Sequence, residues 1–291
     1  MNQKGGVGKT TTTVNLAAAL ARAGRSTLVI DLDPQAHATL HLGIEPGDGP
    51  TVYDLLLDPA CDVGAAVRPV GENLAIIPSH TDLAAAEMEL AAAPDRNQRL
   101  QRAIDRLAGR FEFVLVDCPP SLGLLTLNGL VLAREVIIPM QAHFLALQGV
   151  SKLLETVALV TRSVNPKLRV SGVVLCMHDT SSTHTREVVA DLDRFFDEGR
   201  SAAEETPWKF ARVYRPAVRR NIKLAECPSF GKTIFDYAPT ATGAEDYAKL
   251  AEVMLREWDA MLARRAGEDE PPVVVVTTAA RSAGTPTGAG A

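Results

Sequence analysis

The sequence predicts an α/β fold, a mostly parallel sheet with helices on both faces. Three observations predict it. Short β-branched apolar runs recur at 26–30, 113–116, 135–139 and 168–176, the kind that a parallel sheet buries on both sides. Stretches with helical apolar spacing separate them, among them 11–23 and 146–164, and strand–helix alternation builds a parallel sheet through crossovers. A glycine-rich loop, Lys4-Gly5-Gly6-Val7-Gly8-Lys9-Thr10-Thr11, opens directly into the first helix.

The loop carries the first chemical signal. Backbone N–H groups at the positive end of a helix dipole form a nest for phosphate. Gly5, Gly6 and Gly8 let the backbone, including Val7, curl closely around an anion. Lys9 then supplies a point charge for β- and γ-phosphates, and the Thr10 hydroxyl is placed for Mg2+. The loop departs from the regular G-x-x-x-x-G-K-[ST] pattern, whose first glycine would fall on Gln3, and a second lysine, Lys4, stands five residues before Lys9. A phosphate loop also needs a buried strand feeding it, and only Met1-Asn2-Gln3 precede Lys4. The first strand is therefore missing. The preferred expectation is a true start a few codons upstream; the other is a nucleotide site built without a central strand.

After the loop, 11–23 reads as a helix closed by Gly24. The strand at 26–30 delivers Asp31 and Asp33 to its C-terminal end, where ligands of open α/β sheets lie, and Pro34 stops it. A short helix capped by Thr51 is expected over 51–57, a strand over 73–77, and helical segments over 81–107 interrupted near Pro94. Asp117 ends the strand at 113–116 as a Walker B-like acid suited to a water-mediated role at a metal, and Cys118-Pro119-Pro120 turns the chain out of the sheet. Over 243–262, Tyr247, Ala251, Met254, Leu255, Trp258 and Leu262 share one helical stripe, with Glu245, Asp246, Glu252 and Asp259 opposite. A helix lying on a membrane would be basic on that polar face, so docking onto the body is expected. These elements form one P-loop domain over 1–264. The remainder, 265–291, is rich in acids, Pro, Gly, Ser and Thr and reads as a disordered tail, with 273–276 too short and isolated to name as a strand.

Composition sets bounds. The chain of 291 residues is 46% apolar, enough for a real core, and its net charge of −5 confines any nucleic-acid contact to a local patch. Arg212, Arg215, Arg219, Arg220 and Lys223 form the dense positive stretch outside the loop, which is either such a patch or a solvated charged loop. Four widely spaced cysteines without a C-x-x-C pair read as reduced thiols rather than a metal or disulfide framework. No signal peptide is expected, and no apolar run approaches the ~20 residues of a membrane span.

The paired lysines of the loop resemble the deviant Walker A box of the ParA/MinD family of P-loop ATPases. Four later stretches are similar to ParA (Soj-like) partition ATPases: Asp31-Leu-Asp33-Pro34-Gln35, Asp117-Cys-Pro-Pro-Ser-Leu-Gly-Leu-Leu-Thr126, Ala146-Leu-Gln-Gly-Val-Ser-Lys-Leu-Leu-Glu155 and Asn221-Ile-Lys-Leu-Ala-Glu-Cys-Pro-Ser-Phe-Gly231. The resemblance covers residues 2–262, with 199–210 as an insertion. It implies a weak ATP hydrolase using ATP and Mg2+, cytoplasmic and nucleoid-associated. An ATP-driven homodimer would bind DNA non-specifically, and a ParB-like partner would stimulate hydrolysis and release, segregating a chromosome or plasmid. Lys4 would act in trans at the partner's γ-phosphate, and Asp33 would orient the attacking water. Asn221 would contact the base, with Arg219 standing where the family has proline. Arg219, Arg220 and Lys223 would meet DNA, whereas Ser181 stands where the family has a further arginine. Alternatives remain: the same ATPase positioning a protein assembly or chemoreceptor array, or a low-turnover switch regulating replication. A tyrosine kinase with a similar loop would want a C-terminal tyrosine cluster, and none follows Trp258.

Overall fold

The β-branched runs become strands of one sheet in the computed structural model, which describes residues 6–45, 47, 49–179, 182–201, 205–264 and 273–276. The strands are β1 (Thr27–Asp31), β2 (Arg68–Gly71), β3 (Leu74–Ile77), β4 (Phe113–Asp117), β5 (Glu135–Met140), β6 (Arg169–Leu175), β7 (Arg212–Tyr214) and β8 (Val273–Val276). Their order across the sheet is β2-β3-β1-β4-β8-β5-β6-β7. Every neighbouring pair is parallel except β2 with β3.

The helices, in chain order, are α1 (Lys9–Arg22), α2 (His37–His41), α3 (Val52–Leu57), α4 (Val63–Ala66), α5 (Leu83–Glu89), α6 (Arg99–Asp105), α7 (Leu124–Leu132), α8 (Phe144–Ser163), α9 (Thr183–Ser201), α10 (Lys223–Glu226), α11 (Ile234–Tyr237) and α12 (Thr242–Arg264). Local chemistry sets their ends. The Thr51 hydroxyl accepts from the Tyr53 N–H at 3.2 Å while Asp54 accepts the Thr51 N–H at 2.7 Å, a reciprocal cap for α3. Asn165, just past α8, closes α7 differently, its side-chain amide donating to the carbonyls of Leu130, Val131 and Ala133.

Alternation along the strands splits the core between the two faces. Leu28, Ile30, Val114, Val116, Val136 and Ile138 pack with α3 and α5–α9. Val29, Leu115, Ile137 and Val174 pack with α1, α2, α11 and α12. The stripe expected on α12 is buried at Tyr247, Ala251, Met254 and Trp258, and the Trp258 ring packs tilted against Phe113 with centroids 5.1 Å apart. No helix among the described residues is long and apolar enough to cross a membrane.

Besides the helices α2, α4, α7, α10 and α11 and the central strand β8, three elements went unpredicted. The strands β2 and β7 are short and lie at the sheet's two edges, where half-exposed residues give little periodic signal. The third, α9, buries Val188, Leu192 and Phe196 at helical spacing in an otherwise charged stretch, and it runs into the expected insertion.

The disordered tail expected over 265–291 is corrected at Val273–Val276. These valines are not an isolated run but β8, paired on both sides at the centre of the sheet. A central parallel strand needs no alternation, so four consecutive valines suit it. The same element lies between β4 and β5. Residues 1–5, 265–272 and 277–291 lie outside the described residues.

Candidate active site

The site forms where α1 begins above the carboxyl ends of β1 and β4. Gly8 caps α1 with φ of +92°, a left-handed conformation, and a Cβ there would meet the Cys176 Sγ at 3.1 Å. Glycine is therefore required on both counts. Lys9, Thr10 and Thr11 form the first turn and are half-buried. The carbonyl of Gly6 accepts from the Gln141 amide at 3.1 Å, which fixes the loop to the end of β5. Behind the loop, the Thr12 hydroxyl lies 3.1 Å from the Tyr247 hydroxyl and 3.5 Å from the Cys176 Sγ. Lys4 and Gly5 lie outside the described residues.

Asp117 is the centre of the polar network. The Thr10 hydroxyl donates to its Oδ2 at 2.7 Å and the Thr13 hydroxyl to its Oδ1 at 3.2 Å. Beside it, in register on β1, lies Asp31. Asp31 accepts from the Thr39 N–H and hydroxyl, both at 2.8 Å, and from the Asp33 N–H at 3.1 Å. Both carboxyls are wholly buried. Burial, then the neighbouring Asp117 charge, pushes Asp31 up to about 7. Burial also lifts Asp117 to about 6, against the Thr10 hydrogen bond and the Lys9 charge, which pull it down.

These shifts carry a sign. Each acid ionises at higher pH in the folded chain than at its ordinary 3.8, so the folded state retains protons that the unfolded state has released. The stability they contribute is complete below about pH 4 and is lost as pH rises through the folded values. Asp31→Asn should therefore cost most stability near pH 4–5 and least near pH 8. Thermal melts of both proteins across that range check this, and a pH-independent difference would show that Asp31 folds ionised.

Asp33 is nearly buried, with its Oδ1 accepting from the Gln35 N–H at 3.0 Å and its carbonyl accepting from the Ser79 hydroxyl at 2.8 Å. That first bond is an Asx turn, and no hydrogen bond to its Oδ2 is seen among the described residues.

The site residues fit a nucleotide with Mg2+. The single Thr10 proton goes to Asp117, leaving the hydroxyl lone pairs available to a cation. Asp117 is a buried acid whose ionised form a nearby cation would favour. Among the described residues no group of three or more His, Cys, Asp or Glu could hold a metal alone, which matches a cation that keeps waters and phosphate oxygens as ligands.

The five cations after β6 are mostly paired. Arg212 meets Glu257, Arg215 meets Asp193 at 2.8 Å, and Lys223 meets Glu226 at 2.8 Å. Arg219 is bound by the buried Asp246 at 2.6 Å and by Glu245 at 2.9 Å. Arg220 is exposed and makes no ion pair among the described residues. The Asn221 amide donates to the Thr242 hydroxyl at 2.7 Å, and its carbonyl accepts from the Lys223 N–H.

A family model described as an AAA domain matches residues 1–170. The sporulation initiation inhibitor protein Soj of Bacillus subtilis is 42% identical over 252 residues, 86% of this chain and 94% of its own. The chromosome-partitioning ATPase Soj of Thermus thermophilus is 44% identical over 260 residues, 89% of this chain and 95% of its own. The chain belongs to the Soj/ParA family. A crystal structure of a Mycobacterium smegmatis protein named cobyrinic acid a,c-diamide synthase, with an ATP analogue and magnesium, is also similar. It shares 34% identity and a TM-score of 0.72 over 94% of this chain and 96% of that one.

In this Soj/ParA chain the fold brings together Gly6, Val7, Gly8, Lys9, Thr10, Thr11 and Asp117, with Asp33 two residues beyond β1. Arg219 and Asn221 are instead bonded to α12. Sequence reasoning placed Asp31 at the strand end without its partners and missed the supporting roles of Thr13, Gln141 and Cys176. Gln141 and Cys176 each stand just past a strand end, where that signal could have found them, and the contact of Cys176 with the loop came only from packing.

Proposed function

We propose that this Soj/ParA chain is a partition ATPase that links an ATP-driven dimer to DNA. The observation that carries the reading is the 2.7 Å bond from Thr10 to Asp117 at the mouth of the glycine loop. It couples the helix N-terminus that would hold phosphate to the acid that would balance a metal. The N–H groups of the first turn of α1 and the Lys9 ammonium bind the β- and γ-phosphates. Thr10, and Asp117 through water, would hold Mg2+, which would supply positive charge to the phosphate oxygens. Asp33 orients the attacking water with its second carboxylate oxygen while its first maintains the turn. Lys4 from a second copy meets the γ-phosphate, making hydrolysis conditional on dimerisation and contributing about 10³–10⁵ in rate as trans-acting cations do.

The cargo is a chromosome or plasmid, and a ParB-like protein stimulates hydrolysis, which releases the dimer from DNA. The cytoplasm and nucleoid are the matching location. The M. smegmatis relative carries a synthase's name, but the T. thermophilus relative, 44% identical over 95% of its length and named a chromosome-partitioning ATPase, supports the partition reading.

Ion pairing sets how much DNA one protomer can hold. If Arg219 and Lys223 released their carboxylates and joined Arg220, a protomer would neutralise three phosphates, for a salt slope of about −2.7 at ~0.9 per phosphate. With Arg220 alone the slope would be about −0.9, doubling to about −1.8 in a dimer. DNA-binding curves titrated with salt, in ATP and in ADP, with light scattering for mass, test the reading. The expected result is a dimer in ATP alone, tighter DNA binding with it, and loss of that binding in Arg220→Ala. Equal affinity in both nucleotides would reject the coupling.

A further inference from the structure

We propose that Phe230 is a stacking platform for an unpaired base of single-stranded DNA, with the exposed cations of the same stretch, Arg220 and Lys232, holding the strand's phosphates. The proposal rests on the DNA reading and names the form of DNA that this surface takes.

Phe230 ends the short 3-10 turn Cys227–Phe230 and is 61% exposed. Its ring lies on that of Tyr237, with centroids 4.9 Å apart and planes inclined by 25°. The supporting ring is itself held. The Tyr237 hydroxyl donates to the Glu226 Oε2 at 2.8 Å, and the Lys223 ammonium donates to the same oxygen at 2.8 Å. That ammonium also lies 5.7 Å from the centre of the Tyr237 ring. The backbone of the turn is fixed at both ends. At its start Cys227 is buried, with its Sγ 3.4 Å from the Nε2 of His41 on α2. At its close Gly231 takes a left-handed φ of +59° against Gly43, where a Cβ on Gly231 would meet the Gly43 Cα at 2.8 Å. The ring is therefore ordered before anything binds it, and the face turned away from Tyr237 is open to solvent.

The surroundings are cationic. Residues 219–237 carry four Lys and Arg against two acids, in a chain whose net charge is −5. Both acids are engaged locally, Glu226 as above and Asp236 by the Thr233 hydroxyl at 2.6 Å. Arg220 and Lys232 are exposed and make no ion pair among the described residues. Ile222, between Arg220 and Lys223, is 68% exposed and adds apolar surface. An open aromatic face among free cations suits a single strand, whose bases stack on the ring while the cations follow its backbone. A duplex offers no such contact, because its base faces already cover one another and a ring must unstack them to enter. A ring already fixed on a second ring loses little freedom on binding.

Anisotropy titrations of the full chain in ATP test this, with labelled oligothymidylate and a duplex of equal length. Phe230→Ala should weaken oligothymidylate binding at least ~5-fold, the least that one stacked base contributes, and leave duplex affinity unchanged. Phe230→Trp should retain strand affinity, and its added fluorescence, read against the parent, should be quenched by oligothymidylate and not by duplex. Equal strand affinity in Phe230→Ala and the parent would overturn the platform, as would an unquenched tryptophan. Quenching by ADP alone would assign the ring to the bound nucleotide's base and overturn it too. So would loss of the ATP-dependent dimer in Phe230→Ala with strand affinity kept, which would give the patch to a second copy. A parent that binds duplex but no oligothymidylate would reject the platform and leave the DNA reading intact. Phe230-dependent binding of oligothymidylate without duplex binding would support the platform and refute duplex DNA as the partner.

Discussion

Lys9→Ala should reduce nucleotide affinity by about 10²–10³-fold, measured by fluorescence titration with ADP and an ATP analogue. Lys9 opens α1, and its ammonium lies close enough to Asp117 to favour the ionised carboxylate. Removing it deletes charge-assisted hydrogen bonds to phosphate, each worth about 1.5–3 kcal/mol. It also removes the cation that offsets burial at Asp117, so that acid should titrate higher still. Both effects act on one protomer and need no second copy. Lys4→Ala makes the contrast: monomer affinity should be kept while dimerisation and turnover are lost. Equal loss of affinity in the two variants would place Lys4 in its own protomer's site and reject the sandwich arrangement.

Asp33→Ala should lower ATP turnover by about 10²–10⁴-fold, the range for a group that positions or activates a water, while leaving ATP binding nearly unchanged. The variant should accumulate as an ATP-bound dimer that stays on DNA. Structure sharpens the test, because the Oδ1 of Asp33 already serves the Gln35 turn. Asp33→Asn keeps an acceptor for that turn and removes the carboxylate charge. If turnover falls in Asn as it does in Ala, the carboxylate acts on the reaction. If Asn turns over like the parent, Asp33 only shapes the turn. Single-turnover phosphate release and light scattering in ATP give both answers.

How much was legible in advance follows from how local each signal is. The loop of Gly6, Gly8, Lys9 and Thr10 could be read because a helix N-terminus that binds phosphate needs those residue types at that spacing. Asp33 and Asp117 could be placed because each closes or follows a run of β-branched residues, and strand ends face ligands in this kind of sheet. The cap at Thr51 and the stripe on α12 are equally local, and both stand in the structure. Asp31 was harder. Its residue type was plain, but its partners are Thr39, the Asp33 backbone and, across the strand pair, Asp117.

The strand–helix alternation through residue 176 thus determined a parallel α/β sheet, and residues 6–33 and 113–117 the parts of a phosphate site. Only the tertiary structure decided which strand lies at its centre and which cations remain unpaired. Val273–Val276 lacks helical or alternating periodicity, and its partners Val114–Asp117 and Glu135–Ile137 are more than a hundred residues away in sequence, so no local pattern could announce the pairing. The arginines after β6 looked like one basic patch because charge is counted along the chain. In space, Asp193, Glu245, Asp246 and Glu257 from α9 and α12 reach Arg212, Arg215 and Arg219, while Lys223 takes Glu226. Coulomb attraction acts through distance, and distance is set by the packing of helices against the sheet rather than by sequence spacing.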